Sequence, residues 1–150
     1  MSRSEHVTFE FIETLVVPLR TVYGSEVHGI SHAQGSDRDE MGFFAPTLRQ
    51  CTALSDLPSS YQHKSAFARN EVGFRIGNQP KSGAGDLDIL LYDVRHWAKL
   101  AIAGNPQVHL PLYVGDEWVV MSNDLGETAR RERARFMSSH VASKSLGYMT

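Results

Sequence analysis

Gly24-Ser25-Glu26-Val27-His28-Gly29 is followed, after a short gap, by Ser36-Asp37-Arg38-Asp39-Glu40-Met41-Gly42. A Gly-Ser pair where a strand turns into a helix offers backbone N–H groups and a hydroxyl to a phosphate. Asp37 and Asp39 stand two apart at the head of an apolar run. On a strand, that spacing projects both carboxylates to one face. Two hard oxygen ligands on one face suit Mg²⁺, which keeps water and substrate phosphates in its other positions. Either half alone is a common turn. Together, with a phosphate cradle leading into paired carboxylates, they are far more specific. If the two strands are neighbours, triphosphate and metal meet at one edge.

A third carboxylate has two candidates, Asp86 and Asp88, which share a face of one apolar strand. A site that holds two metals would use such a ligand to bridge the ions. Other residues read as structural. None of the seven histidines makes a His-x-x-x-His zinc pair within one helix, since Gly29 separates His28 from His32. Cys51 reads as a buried thiol and Trp97 as packing on its helix. Gly83-Ala84-Gly85 lacks a following Gly-Lys-Ser/Thr and reads as a connector, with Lys81 a solvated neighbour. Arg130, Arg131, Arg133 and Arg135 read as a solvated helix face, and are also the best electrostatic contact for a phosphate-bearing partner.

The elements that position these residues follow from periodicity. His6 to Val17 carries a broad apolar helical face, and Leu19 to Tyr23 reads as a strand ending at Gly24-Ser25. Asp39 to Pro46 is a second strand. Residues 47–70 are polar and read as loop with one short helix. Glu71 to Ile76 alternates like a strand, Gly77 to Gly85 is a loop, and Asp86 to Tyr92 is an apolar strand. Asp93 is a good N-cap for a helix whose face is Val94, Trp97, Ala98, Ala101 and Ile102, ended by Gly104 and Asn105-Pro106. A short helix through Val108 to Tyr113, a strand at Glu117 to Met121 and a helix from Leu125 complete the chain. The order predicts an α+β fold: a small mixed β-sheet with helices packed on one face and a helical C-terminal part, residues 123–150.

Composition bounds the setting. At 150 residues the chain fits one domain, and 41% hydrophobic with 21% charged residues is ordinary for a globular protein. No apolar run is long enough to span a bilayer, so no membrane partner is expected. A single cysteine excludes an internal disulfide and, with no secretion-signal layout at Met1 to Phe9, points to the cytoplasm. A net charge of −2 gives no global pull toward nucleic acid.

Taken in order, Gly24, Ser25, His28, Gly29, Ser36, Asp37, Asp39, Gly42 and Pro46 resemble the motif of nucleotidyltransferases of the DNA polymerase β superfamily. The phage- and bacteria-borne branch of predicted nucleotidyltransferases is the most similar. Downstream, Asp88, the segment Asp93-Val94-Arg95-His96-Trp97, Asn105-Pro106 and Phe136-Met137-Ser138 resemble further elements of that branch.

The resemblance implies the small mixed sheet of that fold and transfer of an NMP from an NTP such as ATP to an acceptor hydroxyl, with pyrophosphate leaving. It also implies Mg²⁺ or Mn²⁺ held by Asp37, Asp39 and Asp88, and a nucleotide held by Gly24, Ser25, His28 and Ser36. Asp88 is preferred to Asp86 because it keeps that branch's offset to the helix-capping Asp93. The acceptor is left open among RNA, protein and small molecule. The alternative is a catalytically idle module on the same fold that binds a nucleotide or RNA end. Longer members of the branch continue past the equivalent of Gly147-Tyr148 into further helices, so a C-terminal part is expected to be missing here.

Overall fold

Two adjacent residues, Phe43 and Phe44, show how the molecule is layered. Successive strand side chains point to opposite faces, so an apolar pair inside a strand must be buried on both sides. Phe43 packs with Leu19, Trp97, Ala101, Val108, Leu112 and Ala129. Phe44 packs with Ile12, Val17, Tyr61, Ile89 and Leu91. The sheet therefore separates two cores.

The computed structural model describes residues 4–24, 27, 37–52, 57–68, 75–76, 79–80, 83–137 and 140–141. Strand β1 (Ser4–His6) leads to helix α1 (Phe9–Glu13), then β2 (Val16–Tyr23) and β3 (Arg38–Ala45). Helix α2 (Leu48–Thr52), β4 (Ser60–Lys64) and α3 (Ser65–Ala68) follow, with a two-stranded ribbon of β5 (Arg75–Ile76) and β6 (Gln79–Pro80). Strand β7 (Leu87–Asp93), helices α4 (Val94–Ile102) and α5 (Pro106–Tyr113), β8 (Val119–Ser122) and α6 (Asp124–Arg131) complete the order. Short 3₁₀ turns occupy Asp116–Trp118 and Arg133–Phe136. The main sheet runs β1-β4-β7-β3-β2-β8. Pairs β1/β4 and β3/β7 are parallel and the rest antiparallel, so the expected α+β mixed sheet is what forms. No helix among the described residues is long and apolar enough to cross a membrane.

Helices α4, α5 and α6 supply the core on the Phe43 face. The side chain of Asp93 caps α4 by accepting the Arg95 N–H at 2.8 Å, as its position before the apolar face predicts. Burial raises the Asp93 pKa, but hydrogen bonds from the Arg95 side chain and backbone, with the guanidinium charge, outweigh that and leave it below the usual carboxylate range. Trp97 is buried under this face, and its indole N–H donates to the Val108 carbonyl at 2.8 Å, which ties α4 to α5.

Several boundaries differ from the sequence reading: β6 falls within the expected Gly77 to Gly85 loop, β8 starts at Val119 after a 3₁₀ turn, and three further differences reshape the main sheet. The long helix over His6 to Val17 shrinks to α1, because Thr8 caps at Phe11 and the chain turns at Thr14 into β-branched Val16-Val17. Strand β2 starts before Pro18 and runs through it. The register shifts between Val16 and Leu19, and Asn123 N–H donates to the Pro18 carbonyl at 3.0 Å. That shift is why Val17 and Leu19, two apart, serve opposite cores. The polar stretch 47–70 holds a full inner strand, β4, antiparallel to β7. Helix α1 packs beside β4 on the Phe44 face, opposite the other three helices. Cys51, expected to be buried, is exposed on α2, a short helix that buries none of its residues.

Candidate metal centre

One end of the sheet gathers the acidic residues, and backbone register is the cause. Asp39 pairs with Asp88 across parallel β3/β7, Tyr23 with Asp39 across β2/β3, and Lys64 with Asp88 across β4/β7. Register partners share a face, so Tyr23, Asp39, Asp88 and Lys64 form one transverse row. By strand phase the row lies on the same face as Phe43 and Tyr92, at the open end beyond the helical core.

The start of β7 is locked to the start of β3. Arg38 N–H donates to the Asp86 carbonyl at 2.7 Å. The Ser65 hydroxyl donates to Asp86 Oδ1 at 3.0 Å and accepts the Leu87 N–H at 2.8 Å. Asp86 Oδ2 takes the Gly83 N–H at 2.8 Å. Asp86 is thus buried and bound to its own loop and to Ser65. Its neighbour two residues on, Asp88, joins the acidic group instead.

Carboxylate oxygens of Asp37, Asp39 and Asp88 lie within 4.8 Å of one another, each side chain half-buried. Oxygens on opposite sides of one Mg²⁺ lie about 4.2 Å apart, twice its bond length. The three groups therefore fit a hard divalent ion after a side-chain adjustment of roughly half an ångström, or two ions spaced as in two-metal sites. Three negative charges this close repel one another, and a bound cation offsets that repulsion. The donor set is all carboxylate, which favours Mg²⁺ or Mn²⁺ over softer metals.

Gly24 closes the β2 side of the site. Its φ of +88° is the left-handed conformation that glycine tolerates, and a Cβ there would stand 3.2 Å from Asp39 Oδ2. Backbone at Gly24 can therefore approach a ligand beside the carboxylates. Gly42, three residues past Asp39, has a different use: a Cβ would collide with the Leu19 carbonyl, so glycine lets β3 lie close against β2. Ser25, His28 and Ser36 fall outside the described residues. Among the four sequence-derived nucleotide contacts, only Gly24 is placed, and it lies beside Asp39.

Two residues of the row escaped the sequence reading. Lys64 sets its ammonium 3.1 Å from Asp88 Oδ2, with both side chains mostly buried. Its only signal was the alternation of Tyr61 and His63, two positions among polar residues and too few to mark a strand. Tyr23 directly precedes Gly24. Burial, then the charge of Asp39, the neighbouring Tyr92 phenol and the charges of Asp88 and Asp37, push its phenol up to about 12, so it faces the acidic group as a neutral hydroxyl.

Behind the row, on the opposite face, Arg20 Nε lies 3.0 Å and Arg38 Nε 2.7 Å from the buried Glu40 carboxylate. This pairing neutralises Glu40, which directly follows Asp39 but points to the other face. The arginine-rich segment is largely self-compensated. Arg130 binds the Val114 carbonyl and Asp116, Arg131 and Arg135 pair with Glu132, and Arg133 lies over the Tyr113 ring.

A glycine turn beside Asp39 on β3 and Asp37 just before it, with a third carboxylate from a parallel neighbour, is a geometry suited to metal-assisted phosphoryl chemistry. No curated protein and no solved structure is significantly similar to the chain. A family model does match it, over residues 2–150, and by that match the chain belongs to the RNA repair pathway DNA polymerase beta family, RlaP.

Proposed function

We propose that the chain transfers an NMP from an NTP to an acceptor hydroxyl and releases pyrophosphate. The observation that carries this is the convergence of Asp37, Asp39 and Asp88 at the sheet end where Gly24 turns. The bond that forms joins the acceptor oxygen to the α-phosphorus, and the bond that breaks is the one to the leaving pyrophosphate. Asp37 and Asp39 would hold the ion that carries the triphosphate, and Asp88 would share the ion next to the acceptor. Mg²⁺ or Mn²⁺, when bound, supplies charge neutralisation and lowers the acceptor's pKa. Gly24 and Ser25 would take the β- and γ-phosphates, with His28 and Ser36 bordering the nucleotide. Tyr23, neutral at physiological pH, can donate a hydrogen bond at this rim without adding charge. Positioning and electrostatics suffice, with no covalent enzyme intermediate.

The family's description ties it to RNA repair, which favours an RNA hydroxyl as acceptor over a protein or small molecule. The single cysteine, Cys51, favours a reducing compartment, the cytoplasm. The test is pyrophosphate release with each of the four NTPs, Mg²⁺ and an RNA bearing a free 3′-hydroxyl. Release that EDTA abolishes supports transfer. A chain that binds Mg²⁺–NTP yet releases nothing is a nucleotide- or RNA-end-binding module instead.

A further inference from the structure

A concavity lies at the same end of the sheet, on the side away from Gly24 and on the Phe44 face, where Val7 and Phe9 pack. It is a cavity of about 540 Å³ between the end of β1, the first turn of α1 and the end of β4. Val7 and Phe9 give it an apolar wall, and His6, Glu10, His63 and Lys64 give it polar ones. The Phe9 ring stands edge-on to the His63 ring, centroids 5.7 Å apart. His63 is fixed by a contact of 3.1 Å between its Nδ1 and the Val7 carbonyl, so the wall is held by backbone. An aromatic wall with a few fixed polar groups suits a flat heterocycle.

Lys64, the last residue of β4, joins the two places at the sheet end: it lines the cavity, and its ammonium meets Asp88 on the Phe43 face. Sheet order sets the polarity. Gly24 ends β2, the carboxylates sit on β3 and β7, and the cavity opens beyond β7 at β4 and β1. A triphosphate lying on the Gly24 side leaves the β4 side of the metal centre for whatever brings the attacking hydroxyl, and a strand held there reaches the cavity by passing round the sheet end at Lys64.

We infer that this cavity is the acceptor subsite, taking a base near the 3′ end of a single-stranded RNA, with Lys64 contacting the adjoining phosphate. The inference rests on the nucleotidyl-transfer reading. Phe9 supplies the stacking surface, and Lys64 the one cation shared by cavity and carboxylates among the residues that line the cavity. Glu10, at the rim, opposes an anionic strand and so tempers affinity.

The test is fluorescence anisotropy of a 5′-labelled single-stranded RNA oligonucleotide with a free 3′-hydroxyl, titrated with the full chain in Mg²⁺ without NTP. Phe9→Ala should weaken binding on the order of tenfold, the range of one lost base stack. Phe9→Trp should restore it. Glu10→Arg, an exposed change that spares the core, should tighten binding several-fold. Wild-type chain that does not bind the oligonucleotide at low salt overturns the inference. So does binding indifferent to Phe9→Ala and Glu10→Arg. Thermal stabilisation of the wild type by Mg²⁺–NTP is measured alongside. If that stabilisation is present and the cavity variants bind normally, the subsite is wrong and the metal centre stands. If it is absent, the nucleotidyl-transfer reading itself has failed.

Discussion

Asp39 and Asp88 lie directly opposite one another on neighbouring parallel strands, the second and seventh residues of that ladder fixing the alignment as Asp39↔Asp88 through Phe44↔Asp93. Because strand side chains alternate, a slip of one residue would turn Asp88 to the other face and bring Leu87 into the site. The lock against that slip is Asp86, whose carbonyl takes the Arg38 N–H and whose carboxylate is held by Ser65 and Gly83. Two acidic residues, Asp86 just before β7 and Asp88 on it, therefore divide the work: one sets register and the other faces the metal centre.

That division predicts opposite phenotypes. Asp88→Asn should fold with little loss of stability yet lower turnover by orders of magnitude, because it removes a charge from the acidic group. Asp86→Asn should lose about 1–3 kcal/mol of stability, since its amide cannot accept at both oxygens inside a buried network. Urea melts and pyrophosphate release measured on both variants decide it. An inactive but fully stable Asp86→Asn beside an active Asp88→Asn would move the site by two residues.

Metal dependence of nucleotide binding is the next expectation. Three clustered carboxylates repel a triphosphate, so Mg²⁺ plus NTP should raise the melting temperature by several degrees and NTP in EDTA much less. Equal shifts with and without metal would detach nucleotide binding from Asp37, Asp39 and Asp88.

Lys64 competes with the metal for Asp88. Its ammonium is 3.1 Å from the ligand oxygen, and partly buried pairs of this kind are worth roughly 0.5–1.5 kcal/mol. Lys64→Met should therefore tighten Mn²⁺ binding about two- to tenfold in a titration followed by electron paramagnetic resonance. Weaker binding in the variant would mean that the ammonium holds Asp88 in place instead of competing.

Acid stability follows from Asp93. Its folded pKa is lowered below the ordinary carboxylate value of 3.8, so its carboxylate contributes stability that is fully present above that value. The contribution is lost as pH falls through the lower folded pKa. Asp93→Asn keeps an N-cap but loses the charged contacts to Arg95, at about 1–2 kcal/mol near neutrality. Denaturation of the two proteins between pH 7 and pH 2 should show the difference constant down to about pH 4 and shrinking below it. A gap that stays constant to pH 2 would contradict this account.

The acidic residues were legible in the sequence because strand phase depends only on spacing, and the Asp93 cap because an apolar helical face follows it. Register was not legible. Nothing local says that Lys64 faces Asp88, or that Pro18 lies within β2 and shifts its ladder instead of ending it. Strand β4 hid for a related reason: it is an inner strand whose alternate positions, Ser60, Gln62 and Lys64, are polar. Tyr61 and His63 are its only inward signal toward the Phe44 face, too short for periodicity to decide.

The central claim is transfer of an NMP by the Asp37–Asp39–Asp88 group, and following the phosphates tests it most directly. The chain is incubated with Mg²⁺, an RNA bearing a 3′-hydroxyl, and an NTP labelled in separate reactions at the α- or γ-phosphate. The account predicts α-label in the RNA and γ-label in pyrophosphate, in equal amounts. It also predicts loss of both in EDTA and in Asp37→Asn, Asp39→Asn and Asp88→Asn. Label transferred from the γ-position to the RNA, or α-label incorporated undiminished by the three substitutions, would contradict it.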